Sequence, residues 1–77
     1  MNPRVISVTP KDNYLLELHF DNGRTGLFDV RGFLDMPVFA PLKDKDYFSK
    51  VRPMFGAVAW PDGQDICPDT LYEDSIK

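Results

Sequence analysis

Between residues 14 and 23 the chain reads Tyr-Leu-Leu-Glu-Leu-His-Phe-Asp-Asn-Gly, and this run restricts what the rest can do. Successive side chains of a strand point to opposite faces. Tyr14, Leu16, Leu18 and Phe20 therefore share one face, and Leu15, Glu17 and His19 the other. Asp21-Asn22-Gly23 is turn chemistry, so the strand must reverse into a hairpin. A two-residue loop would set Leu16 against Asp29 and Glu17 against Phe28. A three-residue loop with Gly23 in the left-handed region pairs Phe20 with Arg24, Leu18 with Gly26, Leu16 with Phe28 and Tyr14 with Val30. Only the second register gathers the apolar side chains on one face, and a one-residue slip would turn them all outward.

The segments on either side extend this hairpin into a small domain. Arg4 to Thr9 alternates as a further strand, with Ile6 and Val8 expected to point inward. Pro10-Lys11-Asp12-Asn13 is expected to turn the chain. Arg31 to Met36 reads as a short helical turn stopped by Pro37, with Phe33 and Leu34 covering the sheet. Val38 to Leu42 is expected to be irregular between two prolines. Asp44 has the place of a helix N-cap, and Tyr47, Phe48 and Val51 follow at helical spacing, so a short helix is expected over 45–50. Arg52 to Phe55 and Ala57 to Trp60 form a second hairpin around Phe55-Gly56. Pro68 to Asp74 suits one or two helical turns, with Pro68 in first position. The fold class is α+β: a three-stranded antiparallel meander, a short helical segment, a second hairpin and a C-terminal helical turn.

A chain of 77 residues makes one domain, 1–77, the natural expectation. A domain of this size buries only about 60% of the surface its unfolded chain exposes. Six Phe, three Tyr and one Trp help, because large rings bury much area per residue. Nine basic against twelve acidic residues give a net charge of −3, which disfavours direct nucleic-acid binding and anionic membrane surfaces. No apolar run approaches the ~20 residues of a membrane span. The opening residues lack a signal peptide's apolar stretch, and a single Cys forms no internal disulfide, so a cytoplasmic location is expected.

The segment from Trp60 to Tyr72 contains the only Trp and the only Cys. Trp60-Pro61-Asp62-Gly63 has the residue order of a type I turn. Asp65 suits a cap or Asx-turn. Cys67 precedes Pro68 and is held extended. Leu71 and Tyr72 are placed to fold back near Trp60. The pattern W-P-x-G-x-D-x-x-P-x-x-L-Y, carried here by Trp60, Pro61, Gly63, Asp65, Pro68, Leu71 and Tyr72, resembles the closing signature of the bacterial family called domain of unknown function 2442. Its members also resemble this chain in the hairpin of Leu16, Leu18, Phe20 and Gly23, in Asp29, and in Phe48 ahead of the second hairpin. The family has no established activity. Some members are fused to a helix-turn-helix domain and some are encoded beside another small protein. The resemblance therefore implies a binding or regulatory module, with any DNA contact made through a partner.

Candidate chemistry is sparse. Cys67 as a nucleophile would need a base, and the only His is His19 on a distant strand. A packed or inert thiol is expected for Cys67 and a surface or cross-strand position for His19. Asp62, Asp65, Asp69, Glu73 and Asp74 lack the spacing of a calcium loop, and no Cys/His set suits zinc, so no metal or cofactor is expected. Arg24, Arg31, Lys43, Lys45, Lys50 and Arg52 are diluted by Asp44 and Asp46. The residues least easily assigned to a core are Met36, Val38, Phe39, Met54 and Phe55, and aromatics and Met at irregular positions suit a partner surface. The leading expectation is a non-enzymatic protein-interaction or regulatory module, acting with a small protein encoded nearby or as a homodimer. The alternatives are a small ligand-binding or enzymatic domain using Asp65, His19 and Cys67, and a nucleic-acid-associated regulator acting through a partner.

Overall fold

The computed structural model describes residues 2–75. Strands β1 (Val5–Lys11), β2 (Leu15–Phe20) and β3 (Thr25–Asp29) form an antiparallel meander in the order β1-β2-β3. Strands β4 (Arg52–Met54), β5 (Ala57–Ala59) and β6 (Asp65–Ile66) form a second sheet in the order β4-β5-β6. Helices α1 (Lys45–Phe48) and α2 (Pro68–Asp74), with short 3-10 segments between β3 and α1, complete an α+β fold.

The first hairpin has the register that its apolar face demands. Leu16 opposes Phe28 and Leu18 opposes Gly26. The Phe20 N–H donates to the Arg24 carbonyl at 2.9 Å, and Gly23 turns the chain at φ +87°. Leu16, Leu18, Phe20, Phe28 and Val30 are all buried. The second hairpin also closes around Phe55-Gly56, with Met54 opposite Ala57. Asp44 caps α1 by accepting from the Asp46 N–H, and Pro68 opens α2.

β1 departs from simple alternation. Val5 opposes Phe20 while Ser7 opposes His19, so Ile6 is an extra residue in the strand. Such a bulge lets two residues three apart face the same way. Val5 is 3% exposed and Ile6 is 62% exposed, which reverses the expected inward placement of Ile6. Val8 stays half-buried against the core. β1 also runs past the expected turn, as far as Lys11, and the corner is made by Asn13 and Tyr14 with φ of 63° and 60°.

The connection between the sheets is more ordered than its prolines suggest. Only Arg31–Phe33 forms the first helical turn. Pro37 then starts a 3-10 helix, Pro37–Lys43, instead of merely ending the previous one. Proline is well suited to a helix start, where its missing N–H costs nothing. This helix buries Phe39 and Leu42. A chain of ring contacts ties the connection to both sheets: Phe28 to Phe33 at 5.9 Å, Phe33 to Phe39 at 5.4 Å, and Phe39 to Trp60 at 6.4 Å between centroids.

The Trp60–Tyr72 segment closes the fold. The Trp60 carbonyl accepts from Gly63 N–H at 3.0 Å across the expected turn, and the Trp60 N–H donates to Gln64 O at 2.9 Å. The chain returns as β6, which pairs Ile66 with Val58. Asp65 thus sits in a strand opposite Ala59 and not at a cap, and Cys67 holds the N-cap position of α2. Leu71 is fully buried, and the Tyr72 ring meets Phe20 edge-on at 5.0 Å. Truncating Leu71 leaves a cavity where α2 meets the sheets. Leu71→Ala is expected to cost about 2–5 kcal/mol by urea unfolding, whereas Ile6→Thr at the exposed bulge is expected to stay within about 0.5 kcal/mol.

Candidate functional site: the tip of the second hairpin

β5 is buried along its whole length, through Ala57, Val58 and Ala59. β4 is exposed along its whole length. The link between them is a two-residue turn in which Phe55 has φ 51° and Gly56 has φ 84°. Both angles positive define the primed turn whose twist matches a tight hairpin. Gly56 suits its position. Phe55 does not, because the left-handed region crowds the Cβ of a bulky residue, and Asn is the favoured occupant. Phe55 is nevertheless 86% exposed, so no buried packing compensates for this conformation.

The tip is held from below. The Arg4 guanidinium donates to the Phe55 carbonyl through Nη2 at 2.7 Å. The Val5 N–H donates to the Gly56 carbonyl at 2.9 Å. The Arg4 backbone is itself fixed by Asp21, whose N–H donates to the Arg4 carbonyl at 2.8 Å and whose carboxylate accepts from Arg4 N–H at 3.2 Å. A Cβ on Gly56 would come within 2.6 Å of Arg4 Nε and 2.9 Å of Arg4 Cβ. β1 runs beside β4, so exposed Ile6 and exposed Met54 belong to the same neighbourhood as Phe55. The result is an apolar tip on a braced support, with Arg4 and Arg52 among its flanking residues.

The residues expected at a partner surface do not all arrive there. Met54 and Phe55 are on the hairpin, and both are exposed. Met36 and Val38 are exposed but flank Pro37 in the inter-sheet connection. Phe39 is 8% exposed and packs between Phe33 and Trp60, so it belongs to the core and not to a partner surface. Ile6 was missed because period-two alternation does not signal a bulge.

His19, Asp65 and Cys67 are not brought together. His19 lies on the outer face of β2, opposite Ser7 and Thr25, whereas α2 packs on the inner face. Its Nε2 lies 3.0 Å from Glu17 Oε2, and the other Glu17 oxygen is 3.5 Å from Lys11. The His19 hydrogen bond, and then the Lys11 charge, hold the Glu17 pKa below its ordinary value. Hydrogen bonds from Arg31 lower Asp29 likewise. Cys67 is exposed, which removes the packed alternative of its two readings, because its neighbour Ile66 takes the inward position in β6. Its Sγ lies 3.2 Å from Thr70 Oγ1, and that hydrogen bond lowers the thiol pKa.

The family-signature residues are mostly structural in position. Trp60, 1% exposed, donates from Nε1 to the Phe48 carbonyl at 3.0 Å. Pro61 and Gly63, at φ +91°, make the turn below it. The Tyr72 hydroxyl accepts from Arg24 at 2.8 Å. Gln64 is buried at 4% and was not singled out in the sequence; its Oε1 lies 3.1 Å from the Tyr47 hydroxyl. Among the described residues no group of three or more His, Cys, Asp or Glu could hold a metal ion, and no helix is long and apolar enough to cross a membrane.

These features define a small two-sheet α+β domain that presents a braced apolar hairpin tip. Residues 5–77 match the family model described as "Protein of unknown function (DUF2442)", and the chain belongs to that family. No curated protein and no solved structure matches it.

Two outcomes follow from this geometry. Gly56→Ala combines a strained positive φ with a clash against Arg4, and is expected to lower stability by about 1–2 kcal/mol in thermal melts. The folded pKa values of Glu17 and Asp29 lie below their unfolded values. Their contribution is therefore present above the unfolded carboxylate pKa and is lost as pH falls through the folded ones. Urea midpoints are expected to decline on acidification below about pH 5, and Glu17→Gln is expected to flatten that decline.

Proposed function

We propose that the chain is a non-enzymatic protein-interaction module of the bacterial cytoplasm, with a regulatory role exerted through a protein partner. The observation that carries this reading is Phe55. A large aromatic side chain stands 86% exposed at a turn position where its backbone is strained. Left-handed conformations cost a non-glycine residue about 1–2 kcal/mol. The folded chain gains nothing in return that an Asn would not supply better. Strain retained at an exposed position, with Arg4 and Val5 bracing it, suits a residue kept for what it touches outside the chain. Aromatic anchors surrounded by smaller apolar residues are the usual centre of a protein interface, and Met54 and Ile6 supply that surround.

Two observations weigh against direct nucleic-acid binding. Arg24 is engaged with Tyr72, its guanidinium carbon 5.8 Å from the ring centroid. Arg31 is paired with Asp29 at 2.8 Å. Neither is free to meet a phosphate backbone without giving up these contacts.

The test is a stability–binding comparison of Phe55→Asn with the wild type. The variant is expected to fold identically and to gain about 0.5–1 kcal/mol, read from urea unfolding. In affinity capture from lysate of the source organism, the partner recovered by the wild type is expected to be lost. Equal recovery by both proteins would remove the hairpin tip from the interface. A monomer by sedimentation that captures no partner would sink the interaction reading.

A further inference from the structure

A second feature lies at a different part of the molecule, where the β1–β2 corner faces α1. The corner and the helix enclose a cleft of about 150 Å³. Its apolar walls are Pro10, Tyr14 and Phe48. The two rings meet edge-on, 5.4 Å between centroids at 79°. Both are locked from behind. The Tyr14 hydroxyl donates to the Lys43 carbonyl, and the buried Phe48 ring packs against the Trp60 ring at 6.1 Å between centroids. The walls are thus set before any ligand arrives, which lowers the entropy cost of binding.

Polar groups line the rest of the cleft. Lys11 and Lys45 contribute two cations and Asp12 one carboxylate, so the lining is net positive in a chain of net charge −3. Lys11 shares its charge with Glu17 at 3.5 Å. The Lys45 ammonium has no ion-pair partner among the described residues. The corner is also strained, because Asn13 and Tyr14 are consecutive non-glycine residues at positive φ. Consecutive left-handed residues bring Tyr14 round to form the wall, and strain of this kind collects at ligand sites.

We propose that this cleft binds a small planar organic anion. Its flat apolar body lies against Pro10, Tyr14 and Phe48, and its carboxylate is held by Lys45. The volume sets the size, since a cavity of about 150 Å³ accommodates a single six-membered ring. The unpaired Lys45 sets the charge, because an ammonium–carboxylate hydrogen bond is stronger than a neutral one. A bare phosphate would leave the apolar walls unfilled, and an uncharged ring would leave Lys45 unanswered. This site does not depend on the hairpin tip.

The test is an amide-resolved NMR titration of the full chain with sodium benzoate. Benzyl alcohol, sodium acetate and sodium phosphate serve as comparison probes. Benzoate is expected to give saturable shifts confined to residues 10–14 and 45–49. The three comparison probes are expected to bind at least roughly tenfold more weakly. Lys45→Gln changes an exposed side chain and is expected to weaken benzoate binding roughly tenfold with the rest of the spectrum unchanged, whereas Lys11→Gln, whose ammonium is turned to Glu17, is expected to leave the affinity nearly unchanged. Absence of saturable shifts at these residues would overturn the proposal. So would benzyl alcohol or phosphate binding as tightly as benzoate, or affinity unchanged in Lys45→Gln.

Discussion

The Trp60 side chain is the point on which the second sheet, the helical connection and α1 converge. It follows β5 directly, is almost wholly buried, and has ring contacts to Phe39 at 6.4 Å and Phe48 at 6.1 Å. An indole carries one polar N–H that must be satisfied when buried. Here the Phe48 carbonyl at the end of α1 satisfies it. That single bond fixes α1 relative to β5, while the backbone of Trp60 fixes the turn that returns the chain as β6. In a domain with so little core, one residue that packs in three directions and closes its own hydrogen bond replaces what a larger protein distributes over many side chains.

The support of the hairpin tip depends on the opposite end of the chain. Arg4 and Val5 each offer one group toward β2 or its turn and one toward the second hairpin. The bulge at Ile6 makes this possible, because it turns Val5 into the core while the strand continues in register beyond Ser7. The same irregularity leaves Ile6 outside, near Met54. A structural adjustment in β1 and the composition of the exposed surface are therefore one feature. Gly56 fits it too, since any side chain there would displace Arg4.

Roles separate cleanly along the sequence. The residues of the closing signature either pack or turn: Trp60 and Leu71 are buried, Gly63 has positive φ, Pro68 starts α2, and Tyr72 lies on Phe20. The signature that carries the family resemblance thus accounts for the fold and contributes little open chemistry; its Asp65 is simply an exposed strand residue. The two surfaces proposed for other molecules lie elsewhere, at Phe55 and at the β1–β2 corner. This division explains why the signature reveals the family and leaves activity unstated.

Much of the architecture was legible because it rests on local physics. The apolar alternation of residues 14–20, Gly23 in the turn, Asp44 as a cap, Phe55-Gly56 as a reversal and Pro68 at a helix start are all constraints that act within a few residues. They determined both hairpins, the first register and the terminal helix. What failed was not local. Ile6 faces outward, β6 pairs with β5, Pro37 begins a helix that buries Phe39, and Cys67 lies exposed. Each depends on which surfaces meet across the molecule, and a chain with more apolar side chains than its small core can hold leaves that open. The sequence alone determined the strands of the two hairpins, their turns and the α+β class. Only tertiary packing decided that Phe39 would fill the core and Phe55 would stand in solvent, because two phenylalanines have the same chemistry until a fold gives one of them neighbours.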